Sequence, residues 1–488
     1  MDENLSGNIV NATKWSAITE VIAKLIAPIT SMVLARVLTP EAFGVVATLN
    51  MVIAFAEIFT DAGFQRFLIQ HKFSSEQEKD EYTNVAFWSN LTLSFVLWGI
   101  IVLLRDPISD LVGSPGMGIV LSIACFSIPL VGFSSIQIAL FKRELDFKTI
   151  FYLRLVSVLI PLVITIPLAI ILKSYWALVI GTIASNLATA ILLSIKSPWK
   201  PRLFFRMSLL GSMFSFCAWS IVDSVLVWAT SYADIFFIGK ALSQYYLGLY
   251  KTSTSIVGQI TSLITAMTLP VIMPSLSKLQ DDYPAMRALL LKFQKYTGIV
   301  LIPLGAGIFL YREFITSIML GPQWTEAAGF LGLWGLMDVI TIIFARFCSP
   351  VYPAIGKPRV SAIVQVSHLI VLIPAIIISG QYGFKPLYIT RSLIRIELVI
   401  VNLIAVYIMI RQSPWKMIGN VLPEFACSLI MAAVAIALQR VSSSIIWSIL
   451  SIIICSIVYF VALYFIFPKE RDSMKSLYSK ALSSIKRK

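Results

Sequence analysis

Apolar runs of about twenty residues recur along the whole chain, separated by short polar connections. A run of that length spans the hydrocarbon core of a bilayer as one helix. In lipid the backbone has no water to bond, so only helices and closed barrels can cross. Barrel strands alternate polar and apolar residues, whereas these runs are apolar on every side. Composition agrees. Of 488 residues, 58% are hydrophobic and 13% charged, against roughly 45–50% and roughly 25% in a soluble domain. A soluble enzyme has no way to hide that much apolar surface.

Fourteen spans are predicted, at 14–37, 42–65, 83–104, 116–141, 149–172, 175–195, 210–238, 245–273, 293–311, 327–350, 359–380, 384–410, 418–439 and 444–467. The start, MDENLSGNIVNATKW, lacks the basic region and cleavage site of a secretory signal, so the first helix is expected to be retained. With the N-terminus inside, inner loops collect Lys and Arg: Lys142, Arg143 and Lys148 in one, Lys196, Lys200, Arg202 and Arg206 in another. Outer loops hold little more than Arg105, Lys173, Lys240, Arg312, Lys385 and Arg440. This asymmetry places both termini in the cytoplasm. It also accounts for the net charge of +14 without nucleic acid as a partner. In the tail 469–488, Met474, Leu477, Ala481 and Ile485 recur at helical spacing, which predicts an amphipathic helix on the anionic inner leaflet.

An internal repeat organises the spans. Leu34-Ala35-Arg36-Val37-Leu38-Thr39-Pro40-Glu41-Ala42-Phe43-Gly44-Val45 matches Ile238-Gly239-Lys240-Ala241-Leu242-Ser243-Gln244-Tyr245-Tyr246-Leu247-Gly248-Leu249 at an offset of 204 in its basic, Leu, hydroxyl and Gly positions. Six spans separate the copies, so the halves share one orientation, as in a parallel repeat about the membrane normal. The expected domains are a six-helix lobe over 1–206, a second over 207–412, two added spans over 413–468 and the basic tail 469–488. Prolines within or at the ends of spans, among them Pro28, Pro161, Pro303 and Pro374, suit helices that bend.

Ionisable residues inside the bilayer are costly and therefore candidates for function. Glu20 and Lys24 lie one turn apart, as do Glu57 and Asp61; Asp223 and Asp234 share a face three turns apart. Two carboxylates on adjacent turns repel, which suits proton or cation handling, so Glu57, Asp61, Asp223 and Asp234 are the ion-coupling candidates. Lys24, Lys251, Arg346, Arg391 and Arg395 are the candidate cavity cations, with Asp338 nearby in sequence to Arg346. Arginine holds phosphate and carboxylate through a two-pronged fork, so an anionic or sugar-phosphate cargo is expected. Pairing that merely braces helices is the alternative at each position. Cys125, Cys217, Cys348, Cys427 and Cys455 read as small packing residues. His71 and His368 are too far apart in sequence to suggest a metal site, and no GxSxG, HExxH, P-loop or GxGxxG motif appears. No catalytic residue, metal or cofactor is expected.

The ordered segments Ala12-Thr13-Lys14-Trp15-Ser16, Ala35 to Gly44, Ala139-Leu140-Phe141-Lys142-Arg143-Glu144-Leu145-Asp146-Phe147, Gly239 to Tyr250, Leu269-Pro270 through Pro274 to Asp282, and Gly321-Pro322-Gln323-Trp324 resemble the polysaccharide-flippase (Wzx-type) branch of the multidrug/oligosaccharidyl-lipid/polysaccharide transporter superfamily. The colanic- and teichuronic-acid exporters are especially similar. The resemblance implies an all-α polytopic membrane protein of about 14 transmembrane helices, with two MATE-like six-helix lobes and two extra C-terminal helices. It implies a cargo, a polyprenyl-diphosphate-linked saccharide, turned across the bacterial inner membrane by alternating access through a cationic cavity. Membrane lipids, a polysaccharide polymerase and glycosyltransferases are the partners it suggests. Arg36, in the Ala-Arg-x-Leu motif, has either a structural role or a cargo contact. A cation-coupled drug exporter of the same fold is the first rival; acidic cavity residues would dominate in it. A membrane-embedded glycan polymerase or ligase is the second; long outer loops would mark it.

Overall fold

The computed structural model describes residue 24 and residues 26–144, 146–357, 359–468 and 471, without side chains at 61, 62, 214–220, 222, 223, 267, 269 and 270. Glu20, the side chains of Asp61, Asp223 and Cys217, and the tail helix therefore lie outside the described residues. Those residues form helices and no strands. Eleven helices are long and apolar enough to cross a membrane, with mean hydropathy of 1.4 to 2.8, or up to 12 if the bent pair Gln244–Ala266 and Val271–Ser277 is one span. Fourteen is thus not the number that the described residues support. Two expected spans stand outside the count. Of 14–37 the described helix is Ile26–Val37, and 210–238 falls within the 35-residue helix Met207–Ala241.

The chain divides into two compact units, with the boundary between Thr252 and Ser253. The first unit holds α1 (Ile26–Val37), α2 (Pro40–Gln70), α3 (Glu76–Leu103), α4 (Arg105–Leu111), α5 (Gly118–Ala124), α6 (Ser127–Arg143), α7 (Phe147–Ile160), α8 (Ile166–Leu172), α9 (Trp176–Lys196) and α10 (Met207–Ala241). α11 (Gln244–Ser277) runs through the boundary. Its centre is α2, which packs against α10, α6 and α3. α2 starts where it does because Pro40 cannot continue the preceding helix yet suits a first helical position, and Glu41 faces the positive end of the dipole. Ser75 starts α3 by accepting the Glu78 N–H at 3.1 Å. One core joins Val45, Leu49 and Ile53 of α2 to Leu121, Ile128 and Val179. Towards the other end of α2, Phe64, Phe67 and Leu68 pack with Phe87 and Ile136.

The second unit holds the remainder of α11, then α12 (Tyr283–Leu310), α13 (Arg312–Met319), α14 (Ala327–Thr341), α15 (Val351–Ala354), α16 (Arg359–Gly380), α17 (Phe384–Leu393), α18 (Arg395–Ile410), α19 (Pro414–Gln439) and α20 (Ile445–Ile466). A π segment, Ile342–Arg346, follows α14. α12 packs against both α14 and α19, and α19 against α20. The last two spans are thus built onto α12, where the Tyr459 hydroxyl donates to the Ile299 carbonyl at 3.0 Å. Between α12 and α19, Lys295 lies 3.2 Å from Glu424, which has no exposed surface. Cys125, Cys348, Cys427 and Cys455 are buried, and none forms a disulfide with another described residue.

The two copies of the sequence repeat form the same local structure, a helix end, a two-residue break and a new helix starting at Pro40 or Gln244. Within the first unit the copies also touch. A Cβ on Gly44 would fall 1.9 Å from the Gln244 carbonyl oxygen, and one on Gly248 would fall 1.8 Å from that of Pro40. Each partner is the repeat mate of the other, so the N-terminal turns of α2 and α11 cross about a local two-fold. Only glycine permits backbones this close. Gln244 then donates to the Gly113 carbonyl at 2.7 Å and to the Ser114 hydroxyl at 2.8 Å.

Candidate functional site: an arginine cluster within the second unit

Of the five cavity cations, the fold brings three together, two on one carboxylate and the third on the neighbouring indole. α14 presents Trp334 and Asp338 on one face, one turn apart. Asp338 is 3% exposed. Arg395 Nη1 donates to Asp338 Oδ1 at 2.6 Å and Arg346 Nη2 to the same oxygen at 3.2 Å. Thr261 of α11 donates to Oδ2 at 3.0 Å. Arg395 also lies over the Trp334 ring, its Cζ 3.7 Å from the centroid, with Arg391 4.9 Å from the same ring. Stacking of guanidinium on indole adds a cation–π attraction and leaves the fork edges of both arginines for polar partners.

Local backbone explains the meeting. Arg346 ends the π segment. A π turn holds about one residue more than an α turn, so two turns take about eight residues rather than about seven. Asp338 and Arg346, eight apart, are thereby brought onto one side. Arg391 and Arg395 flank the break at Ile394 between α17 and α18, yet keep one-turn spacing. Beyond the arginines, His368 Nδ1 of α16 lies 2.8 Å from Glu397 Oε2 of α18. His368 is buried in the stripe Val364, Leu372 and Ile376.

The other candidates fall in the first unit. Lys251 sits 5.7 Å from the Tyr232 ring centroid. Asp234 is buried, accepts the Tyr250 hydroxyl, and also accepts the Ile235 N–H. Glu57 is half-buried on α2, Lys24 is half-buried, and Arg36 is exposed near the end of α1. Lys24 and Lys251 thus belong to a different unit from the three arginines.

Sequence reading passes over Arg154, Lys295 and Glu424, although each is an ionisable residue inside an apolar run. Arg154 is exposed and lines a groove of about 380 Å³ with Ser31, Ser157, Thr182, Ser185 and Asn186. Thr261, Trp334 and His368 carried no such signal. In the second unit a second groove of about 400 Å³ is almost wholly apolar, walled by residues including Ile264, Pro303, Phe314, Met431, Tyr459 and Phe460.

These features coincide with a known family. The Polysaccharide biosynthesis protein family matches residues 33–329, more than half of the chain, and the chain belongs to it. Among curated relatives, it is similar to lipopolysaccharide biosynthesis protein WzxC of Escherichia coli, 22% identical over 78% of this chain and 76% of that protein. Succinoglycan biosynthesis transport protein ExoT of Rhizobium meliloti is 22% identical over 71% of this chain and 69% of its own. Teichuronic acid biosynthesis protein TuaB of Bacillus subtilis is 19% identical over 70% of each. Among solved structures, lipid II flippase MurJ in an inward closed conformation superposes with TM-score 0.75 at 16% identity, covering 93% of this chain and 98% of that one. An inward-facing multidrug resistance MATE transporter of the MOP superfamily gives 0.62 at 13% identity, covering 82% and 98%. The fold is therefore that of the MurJ and MATE proteins, a multi-pass helical membrane architecture.

Proposed function

We propose that this chain is a flippase for a polyprenyl-diphosphate-linked saccharide, turning it across a bacterial inner membrane with both termini in the cytoplasm. The observation that carries this reading is the meeting of Arg346, Arg391 and Arg395 inside membrane spans of one unit. A diphosphate crossing the bilayer loses water around its charge, and fixed guanidinium groups replace that solvation. Asp338 orients two of them and keeps the cluster stable between cargo molecules. The apolar groove on α12, α13, α19 and α20 offers a prenyl chain a wall of its own polarity in the same unit. Names of relatives such as WzxC, ExoT and TuaB support a saccharide as the cargo class. Acidic residues do not dominate the cluster, which disfavours an exporter of cationic drugs.

The test is reconstitution. Full-length chain in proteoliposomes receives a fluorescent prenyl-diphosphate saccharide in both leaflets, and a membrane-impermeant quencher reports the accessible fraction. Protein-dependent loss of the protected half is expected. Protection equal to that of protein-free vesicles overturns the reading.

A further inference from the structure

Arg154 lies about 10 Å beyond the start of α7 at Phe147, at 1.5 Å per residue. The span Phe147–Leu172 around it has a mean hydropathy of 2.8. A cation at that depth is costly unless an anion or water meets it. α1, α7, α8 and α9 carry no carboxylate, and among the described residues Arg154 makes no hydrogen bond or ion pair. It faces the groove of about 380 Å³ in the first unit, a volume within the roughly 300–1,000 Å³ of small-molecule sites. Of the described residues lining that groove, Arg154 is the one with a charge. The other polar groups are hydroxyls and an amide: Thr30 of α1, Ser157 of α7, and Thr182, Ser185 and Asn186 of α9. Thr30, Ser157 and Thr182 donate to the carbonyls of Ile26, Leu153 and Leu178 at 3.2, 3.1 and 2.9 Å. Each proton is thereby satisfied, and oxygen lone pairs are left for a ligand. Asn186 has no hydrogen bond among the described residues, so its amide offers both donors and an acceptor. The walls are fastened by other groups. A Cβ on Gly181 of α9 would fall 2.0 Å from Thr165 Oγ1, and the Ser157 and Thr189 hydroxyls meet at 3.2 Å. The groove is thus held in shape without drawing on Arg154 or Asn186.

We infer that this groove binds an acidic sugar of the cargo, with Arg154 pairing the sugar carboxylate, and that it gives the protein a preference for saccharides that carry one. This rests on the flippase reading above and names the class of saccharide. The distribution of polar groups separates this ligand from others. A phosphate or diphosphate concentrates its charge and calls for several cations and N–H donors converging on one point. Here a single cation is accompanied by hydroxyl acceptors and one amide spread over three helices. A neutral sugar would satisfy the hydroxyls and the amide but leave the guanidinium bare in an apolar span. A cationic or wholly apolar ligand has nothing to offer it either. A uronic acid matches both parts. Its planar carboxylate takes the two-pronged fork of Arg154, and its ring hydroxyls, each a donor and an acceptor, pair with Thr182, Ser185 and Asn186. The same cation compensates a carboxylate that would otherwise enter an apolar span with its charge unpaired.

Two probes are compared, farnesyl-diphosphate-linked disaccharides that end in glucuronic acid or in glucose. They differ in one place, a carboxylate against a hydroxymethyl group. Binding to the purified full chain is measured by calorimetry at constant pH and salt. Wild type should prefer the glucuronate probe by about ten- to a hundredfold, the range for a hydrogen bond to a charged group. Arg154→Gln should lose that preference by weakening the glucuronate probe alone. Its melting temperature should match wild type, because Arg154 holds no other described residue in place. Arg154→Lys keeps the charge without the fork and should retain part of the preference. Lys148→Gln removes an exposed cation from the same helix outside the groove and should behave as wild type. Asn186→Leu, similar in size, should weaken both probes, since the amide meets ring hydroxyls that the two share. Equal affinity of wild type for the two probes, as when a phospholipid headgroup holds Arg154 instead, overturns the proposal and leaves the flippase reading intact. So does an undiminished preference in Arg154→Gln, or an equal loss of both probes in that variant, which would put the diphosphate on Arg154. If Arg154→Gln folds poorly, full binding of both probes by Asn186→Leu overturns it. Binding of neither probe to wild type overturns the flippase reading, and the acidic-sugar site with it.

Discussion

Arg346 and Arg395 share one oxygen of Asp338 but differ in exposure. The Arg395 side chain is 12% exposed and that of Arg346 45%. Removing a buried partner leaves an uncompensated charge, at a cost of about 3–5 kcal/mol, whereas an exposed ion pair is worth about 0–1 kcal/mol. Arg395→Ala should therefore lower the melting temperature of the purified protein sharply, and Arg346→Ala should barely move it. If Arg346 reaches cargo, its alanine variant should nevertheless slow flipping tens-fold, a loss of roughly 2 kcal/mol in the transition state. A melting loss equal to that of Arg395→Ala would make Arg346 a brace instead. Both arginines were legible as intramembrane charges. Asp338 was legible beside them as a charge in the same span as Arg346; that both arginines meet one of its oxygens was not, because that depends on the π turn and on the register of α18 against α14.

Helix crossing at Gly44 and Gly248 belongs to the scale of elements. The offset of 204 between motif copies was visible in sequence, but nothing in a linear pattern says that the copies pack on one another. Their contact is backbone on backbone, so a methyl group at either position has nowhere to go. Gly44→Ala and Gly248→Ala should each destabilise the first unit by more than about 2 kcal/mol, the upper part of the range for overpacking. Gly99→Ala on α3 is the control, since nothing lies within 4 Å of a Cβ there. It should raise stability by about 0.4–1 kcal/mol by restricting the unfolded chain. Opposite signs in thermal melting check the crossing; equal effects at all three glycines would refute it. The Lys295–Glu424 contact fastens α19 to α12 in a similar way, and ion pairing across two distant spans is likewise invisible to a hydropathy profile.

For the whole molecule, the proposed orientation rests on loop charge. Lys and Arg concentrate on alternate connections, and such segments are retained in the cytoplasm. Reporter fusions after Lys173 and Lys385 should read as outside, and a fusion after Lys200 as inside. The reverse pattern would invert the proposed direction of cargo entry. Hydropathy marks fourteen runs; eleven or twelve of the described helices are long and apolar enough to cross, and the other two runs coincide with α1 and with the 35-residue α10. It also located α19 and α20, whose attachment to α12 places the apolar groove in the same unit as the arginines.

By itself the sequence determined the solvent, the helical class and the repeat, because a backbone in lipid must satisfy its hydrogen bonds within each span. Local rules sufficed for these: run length, proline position and loop charge. It also nominated the ionisable residues, since each stands out against an apolar run. Which of them meet was decided by tertiary structure alone. Asp338 selects Arg346 through a π turn and Arg395 across a helix–helix contact, while Lys24 and Lys251 fall in the other unit. Such meetings depend on the rotation and register of helices far apart in sequence, and those are set by the packing of whole faces rather than by any residue's neighbours in the chain.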